Sequence, residues 1–451
     1  MRTHGMPYEG FNVDILRHQS LNVKVLGAAG EVGRSGFLVE CDGANVLLDY
    51  GVMFGKRRGS PPKYPLHVRP KDLDAVVITH AHLDHSGCVP ALFVSGRTDV
   101  YATPPTLDLT RLLITDMLKI EKNAHQFDMP ELANMTRHSK GVPYGQKITK
   151  GGASFELRES GHVIGGSTIL VESGGKRLFY TGDIKTNGSR MLREADLDVG
   201  EIDMLITEST YSQTVQKPRT ESERELIEFA NEVMDRKGVL FVPSFSVERS
   251  QEIACVLRSS NFKHKIVMDG MALKVNDIMF RHPDYLRDPE VFSSAINDAI
   301  EIRDHSQRKR ALRISNSGGG YDEPCVVISP AGMLVGGNAV FYLQELALEK
   351  RNGIALVSYQ GEGTPGRKLL ETGRVEARGK EIKVAAEVKR FEFSGHADRT
   401  ELFAMLRKLK GNPKVLTVHG DGEGCNTFAQ EIHDEFGWDA HAPAANDVVR
   451  V

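Results

Sequence analysis

Within Thr79-His80-Ala81-His82-Leu83-Asp84-His85 the chain carries three imidazoles and a carboxylate. Imidazole nitrogen with carboxylate oxygen is the donor mix that borderline divalent metals such as zinc prefer. His80 and His82 are neighbours on an extended turn, whereas Asp84 and His85 point elsewhere. That split suits two adjacent metal ions better than one. A run of surface histidines is the plain alternative, and the upstream residues count against it. Leu73-Asp74-Ala75-Val76-Val77-Ile78 is long enough for one buried strand and too short for a core helix. Ser86 to Phe93 can start a helix, so the four ligand-type side chains crowd a strand-to-helix junction.

Other ligand-type residues recur at strand tips. Phe37–Glu40 and Asn45–Leu48 read as a hairpin whose second strand runs into Asp49. Leu178–Thr181 stops at Asp183, and Asp203–Thr207 closes on Glu208. His162 follows a strand over Phe155–Glu159. The first 208 residues thus read as short antiparallel strands, each delivering one such residue. Leu107–Lys122 has helical spacing, and the glycines at 30, 33 and 36 lack the pattern of a nucleotide-binding turn.

After Tyr211 the texture changes. Thr220-Glu221-Ser222-Glu223 reads as a capping box opening a helix that Gly238 stops. Apolar runs at 239–243, 265–268, 325–328 and 354–357 alternate with helical patterns, which implies a parallel sheet buried on both faces. A second domain is expected at 209–394, between a first part at 1–208 and a C-terminal part at 395–451. The Gly/Ser loop Ser315–Asp322 comes nearest to a linker. Strands ending at His396 and at His419 each lead into a helix, over about 397–409 and 425–436. Ligands of parallel sheets sit outside the carboxyl ends of strands, a position expected for Glu208, His396 and His419.

Composition sets outer bounds. Hydrophobic residues at 40% and charged residues at 26% of 451 describe a water-soluble globular chain. No apolar run approaches the roughly 20 residues a membrane helix needs, and Met1–Ser20 has no signal-peptide core. Five scattered cysteines without a C-x-x-C pair favour a reducing cytoplasm over a disulfide framework. A net charge of −3 requires any positive surface for a polyanion to be local.

Asp49, the His80-x-His82-x-Asp84-His85 stretch, His162, Asp183 and His419 resemble the metallo-β-lactamase motifs in order and spacing. Glu208 in Thr207–Tyr211, His396 in Ser394-Gly395-His396-Ala397-Asp398, and Val418-His419-Gly420 resemble the three further motifs of its β-CASP nucleic-acid-processing branch. Ser329–Leu334 and Gly361–Arg367 are similar to that branch's second domain. The resemblance covers essentially the whole chain. Within the branch it is nearest to the cleavage and polyadenylation specificity factor endonucleases and their archaeal and bacterial relatives, with the ribonuclease J group next. Two departures stand out. There is too little sequence before Leu21 for the RNA-binding KH domains of longer archaeal relatives, and Glu248 stands where glycine is usual.

The resemblance implies an α/β architecture: an αββα metallo-β-lactamase domain with an inserted parallel-sheet β-CASP domain, RNA entering between them. It implies two Zn2+, one held by His80, His82 and His162, the other by Asp84, His85 and His419, with Asp183 bridging. Asp84 counts also among the catalytic residues. Asp49 then orients a histidine or a bound water, or makes only a structural hydrogen bond. His396 is expected to be the general acid for the departing 3′ oxygen and Glu208 its orienting partner; phosphate binding by His396 is the alternative. Ser329, Gly332 and Gly336-Gly337 offer backbone N–H groups to phosphates, and Arg249 and Arg367 offer cations, against ordinary turns and salt bridges. The basic run Arg308-Lys309-Arg310, with Arg303 and Arg313 near it, reads as a solvated face. His125, His138, His264, His282, His305 and His433 have no motif context.

The expected function is a zinc-dependent ribonuclease cutting single-stranded RNA, endonucleolytic, with a 5′→3′ exoribonuclease as the alternative. The long insertion disfavours a small-molecule hydrolase, and the full ligand set disfavours a non-catalytic scaffold. DNA-acting relatives share the metal motifs. A homodimer and an RNA-processing complex are further expectations from relatives.

Overall fold

The computed structural model describes residues 21–41, 43–55, 60–120, 124–312, 323–377 and 379–451. The loop expected at Ser315–Asp322, Arg313 and the Met1–Ser20 stretch lie outside them.

Two seven-stranded sheets pack face to face. The first runs Val448–Arg450, Asn22–Val25, Phe37–Cys41, Ala44–Leu48, Ala75–Val77, Val100–Ala102, Ser139–Gly141. The second runs Ala440–His441, Lys414–Val418, Met204–Glu208, Lys176–Tyr180, Ser167–Ser173, Ala153–Glu159, Lys147–Lys150. Side chains alternate across each strand, so one strand feeds two cores. Val77, Tyr180, Ile206 and Leu416 meet between the sheets. Their neighbours Val76, on one sheet, and Phe179, Leu205 and Val415, on the other, face outward. Pro104–Ile120 and Met129–His138 cover the first sheet, and Arg399–Lys408 and Gly422–Phe436 the second. The layers are therefore helix, sheet, sheet, helix.

The all-antiparallel expectation for the first 208 residues needs correcting. Ala44–Leu48, Ala75–Val77, Val100–Ala102 and Ser139–Gly141 pair in parallel, as do Lys176–Tyr180 and Met204–Glu208. Connections through the His80–His85 turn, the helices and the Asp183 loop are long enough for crossovers, which short tandem hairpins are not.

The third sheet has six strands, all parallel: Ile300–Ile302, Lys265–Asp269, Cys325–Ser329, Leu240–Pro243, Gly353–Leu356, Glu387–Arg390. It is buried on both faces, as its continuous apolar runs require. It lies between Met204–Glu208 and Lys414–Val418, which are themselves paired neighbours, so this unit interrupts the two-sheet body. One apolar cluster joins Val163, Ile164 and Met191 of the body to Val247, Ile253 and Phe391 of the insert.

Two local expectations fail here. The helix Arg219–Asp235 starts on Pro218, and no side chain caps it. Thr220 is already inside, and Glu223 binds Arg190 instead of closing a box. Glu387–Arg390 belongs to the parallel sheet, so His396 sits on an irregular loop rather than at a strand tip. Among the described residues no helix is long and apolar enough to cross a membrane. No cysteine forms a disulfide, and Cys88, Cys255, Cys325 and Cys425 are buried thiols.

Candidate metal centre and cleft

The strand Ala75–Val77 ends just before Thr79-His80, and His82 stands at the start of a single helical turn, Leu83–Ser86. The helix begins earlier than the sequence suggested, which sets Asp84 and His85 on its first turn. Gly51 permits this turn to nest: a Cβ there would lie 1.7 Å from the Asp84 carbonyl oxygen. Gly182, at φ +51°, lets the chain turn against Thr79 and present Asp183.

Donor atoms converge in two groups that share Asp183. His82 Nδ1 lies 3.0 Å from His80 Nε2 and 3.2 Å from His162 Nε2. Asp183 Oδ2 is 3.5 Å from both of the latter nitrogens. In the second group His85 Nε2 is 3.3 Å from His419 Nε2 and 3.2 Å from Asp183 Oδ1, and His419 Nε2 is 3.4 Å from Asp84 Oδ2. A tetrahedral ion bound at about 2.0–2.1 Å needs donors about 3.3 Å apart. The fit is also chemical. Asp183 Oδ1 is buried and makes no well-formed hydrogen bond, although His85 and His419 nitrogens stand beside it. Burial holds His80, His82 and His162 below the ordinary imidazole range, in the neutral form a cation requires.

Hydrogen bonds fix which nitrogen faces inward. His162 Nδ1 donates to the Gly395 carbonyl at 2.7 Å, leaving Nε2 for the centre. Asp49 Oδ2 accepts from His85 Nδ1 at 2.7 Å, from Tyr180 Oη at 2.9 Å and from Thr79 Oγ1 at 2.8 Å. Its Oδ1 accepts from the Thr79 N–H at 2.7 Å. Asp49 is fully buried, and both its oxygens are engaged by Thr79, Tyr180 and His85. Burial opposes charge on His85, but Asp183 and Asp49 outweigh it and hold the imidazole well above its ordinary range.

Glu208 ends its strand fully buried, with Oε1 accepting from the Ile184 N–H at 2.7 Å and Oε2 from His396 Nδ1 at 2.8 Å. The His396 loop is pinned by Ala397 N–H donating to the Ile184 carbonyl at 2.6 Å. His396 Nε2 comes within 3.9 Å of Asp183 Oδ2. Burial pushes this imidazole down, yet Glu208 and Asp183 raise it to about 9. A cavity of about 700 Å³ opens over these groups. His82, Asp84, His162, Asp183 and His419 form its floor, and Phe245, Arg249, Tyr359 and Arg390 of the insert form the facing wall, with His396 between.

Of the expected substrate contacts only one reaches this cavity. Arg249 lines the cavity. Arg367 is exposed and ion-paired to Glu371 one helical turn on. Ser329 is buried and donates to the Pro330 carbonyl, and Gly332 packs where a Cβ would come within 2.7 Å of Ser358 Oγ. Neither Ser329, Gly332 nor Arg367 lines the cavity. Sequence reasoning missed Thr79, Tyr180, the Gly395 carbonyl and Arg390. Thr79 adjoins the first histidine and Gly395 the last loop's histidine, so adjacency was a usable signal for both; Tyr180 and Arg390 had none.

Residues 29–226 match the metallo-beta-lactamase superfamily, 250–369 the Beta-Casp domain, and 381–443 the Zn-dependent metallo-hydrolase RNA specificity domain. The chain is 32% identical over 423 residues to RNase aCSPSF2 of Saccharolobus solfataricus, covering 93% of this chain and 83% of that protein. It belongs to the β-CASP branch of the metallo-β-lactamase superfamily. This β-CASP chain is also 34% identical over 433 residues to Probable RNase MJ4 of Methanocaldococcus jannaschii, covering 94% of one and 99% of the other. Against Transcription termination factor FttA of Pyrococcus abyssi it is 34% identical over 468 residues, 96% of this chain and 71% of that protein. A crystal structure of a protein of unknown function from Enterococcus faecalis V583 shares the fold. Its TM-score is 0.62 at 15% identity, and the match covers 96% of this chain and 100% of that one. The metallo-hydrolase family implies divalent-metal binding, and this chain has a cluster of His and Asp donors that could hold such an ion.

Proposed function

We propose that this chain is a two-zinc ribonuclease that cuts phosphodiester bonds within single-stranded RNA. One observation carries the reading: the paired donor groups sharing Asp183 and the His396–Glu208 couple open onto one cleft. The relatives named as ribonucleases, and the match to an RNA specificity domain, favour RNA as the polymer. We take 1–208 with 395–451 as the metallo-β-lactamase domain and 209–394 as the β-CASP domain. Homodimerisation and membership of an RNA-processing complex belong to the same proposal.

His80, His82 and His162 would hold one ion and Asp84, His85 and His419 the other, with Asp183 between. Divalent ions held there would supply Lewis-acid chemistry, lowering the pKa of water and offsetting charge on the oxygens of the phosphodiester. The chain's own groups do the rest. Glu208 fixes His396 Nδ1, so the proton on Nε2 faces the cleft. Raised to about 9, His396 carries that proton at neutral pH and hands it to the departing 3′ oxygen. Phe245, Val247, Phe391 and Phe393 shield the cleft, strengthening these electrostatic contacts.

The test uses 5′-labelled, 3′-labelled and circular single-stranded RNA, with and without chelator, alongside zinc content by elemental analysis. The circle should open, chelation should stop it, and added zinc should restore it. Stepwise loss from the 5′ end with an intact circle would replace the endonuclease by an exonuclease. Cleavage that survives complete metal removal, or no cleavage at all, defeats the proposal.

A further inference from the structure

The cleft contains two guanidinium groups that the chemistry above leaves unused. Arg249 opens the helix Arg249–Ser259 and is only 8% exposed. Among the described residues its side chain makes no hydrogen bond and no ion pair, yet it lines the cavity. Glu252 and Glu248 stand near enough to favour its charge, but neither comes within ion-pair distance, and each carboxylate has one oxygen engaged by another group. Glu252 binds Arg219 at 3.2 Å and the Arg190 N–H at 3.2 Å, and Glu248 accepts from the Ile164 N–H at 3.3 Å. A guanidinium taken from water with no group hydrogen-bonded to it is costly, and an anion entering the cleft would offset that cost. Burial and the like charge of Arg219 accordingly push Arg249 down to about 10.

Arg390 lines the same cavity from the carboxyl end of the edge strand Glu387–Arg390. Among the described residues it too has no side-chain partner, while Glu392 beside it accepts from the Lys217 N–H at 2.7 Å. The Tyr211 hydroxyl lies within the field of both arginines and, among the described residues, makes no hydrogen bond. Its ring stands 6.1 Å from that of His396. Two unpaired planar forks and a free phenol therefore converge one step from the proton donor. Planar guanidinium groups match phosphate oxygens in pairs.

We infer that Arg249, Arg390 and Tyr211 form a subsite for a backbone phosphate flanking the scissile one. The inference rests on reading the cleft as a phosphodiesterase site. The recognised chemistry is a phosphodiester of a single strand, so RNA and DNA satisfy it equally.

Equilibrium binding of fluorescein-labelled single-stranded RNA and DNA ten-mers to the metal-free full-length chain tests it, for wild type, Arg390→Gln and Arg249→Gln. Arg390 is exposed, so Arg390→Gln should keep the wild-type melting temperature and isolate the contact from folding. Both oligonucleotides should bind about tenfold more weakly to each variant. The slope of log affinity against log salt should shrink by about 0.7 for the lost contact. With the zinc-loaded protein, the Arg390→Gln loss should appear in KM rather than kcat. If Arg390→Gln binds both strands with wild-type affinity and salt slope, the subsite is refuted, even where RNA is cleaved. If the arginines govern binding but no RNA is cut, the subsite stands and the nuclease reading falls.

Discussion

Replacing Asp49 by asparagine keeps the side chain's shape and exchanges one oxygen for an amide nitrogen. Oδ1 receives the Thr79 backbone N–H at 2.7 Å, a donor that cannot reverse, so the asparagine carbonyl must stay on that side. The amide nitrogen then takes the place of Oδ2, facing Thr79 Oγ1, Tyr180 Oη and His85 Nδ1. The two hydroxyls can rotate and accept. His85 can accept only by surrendering its Nδ1 proton, and the neutral ring then carries the proton on Nε2. That atom is the one aimed at Asp183 Oδ1 and His419 Nε2, at 3.2 and 3.3 Å. Asp49→Asn should therefore weaken one of two metal positions by about 10–100-fold and spare the other. The metal-free protein should also lose about 2 kcal/mol with the charge-assisted bond to His85. Competition against a chromophoric zinc chelator resolves the two affinities, and thermal melting reads the second effect. Two wild-type zinc affinities in Asp49→Asn would refute the claim that Asp49 sets the tautomer of His85.

Three further outcomes follow from the same geometry. His396→Ala should keep its zinc and lose about 10²–10⁴ in turnover, measured as single-turnover cleavage; near-wild-type rates would remove the proton-donor role. Burial and Glu252 push Glu248 up to about 8, so the folded chain keeps a proton there that the unfolded chain releases near 4.5. Stability should then fall as pH rises between those values. Glu248→Gln abolishes that loss, so its advantage in unfolding free energy should widen across this window to on the order of 5 kcal/mol; parallel stability curves for the two proteins would contradict it. Gly51→Ala sets a methyl against the Asp84 carbonyl and should cost about 1–3 kcal/mol while lowering zinc content. A variant with wild-type melting and full zinc would show that the turn can shift freely.

The parts of the centre legible in the sequence are those set by local chemistry. His80, His82, Asp84 and His85 announce themselves because they share one turn behind an apolar run. The alternation that splits Val76 from Val77 and Leu205 from Ile206 likewise foretells a strand with two buried faces. Strand direction was not legible, since a parallel and an antiparallel neighbour bury the same side chains. The reading of His396 as a strand tip failed because Phe391 and Phe393 look like strand residues but pack as a loop in the shared cluster. Arg249 and Arg390 are far apart in sequence and converge only through the insert's sheet, so nothing in either local pattern pairs them. Glu248 was visible as an oddity at a glycine position, and the structure shows its use. It holds φ +69° there while its carboxyl reaches across to the segment after His162.

His419 is drawn into the centre from beyond the whole insert, beside Asp84 and His85 from near the start. A ribosome must therefore translate past position 419 before the second donor group can exist. On the proposed function, a chain still being made, lying against its own message, carries no competent blade. On the same proposal, fragments that end upstream of that histidine would lack the second donor group.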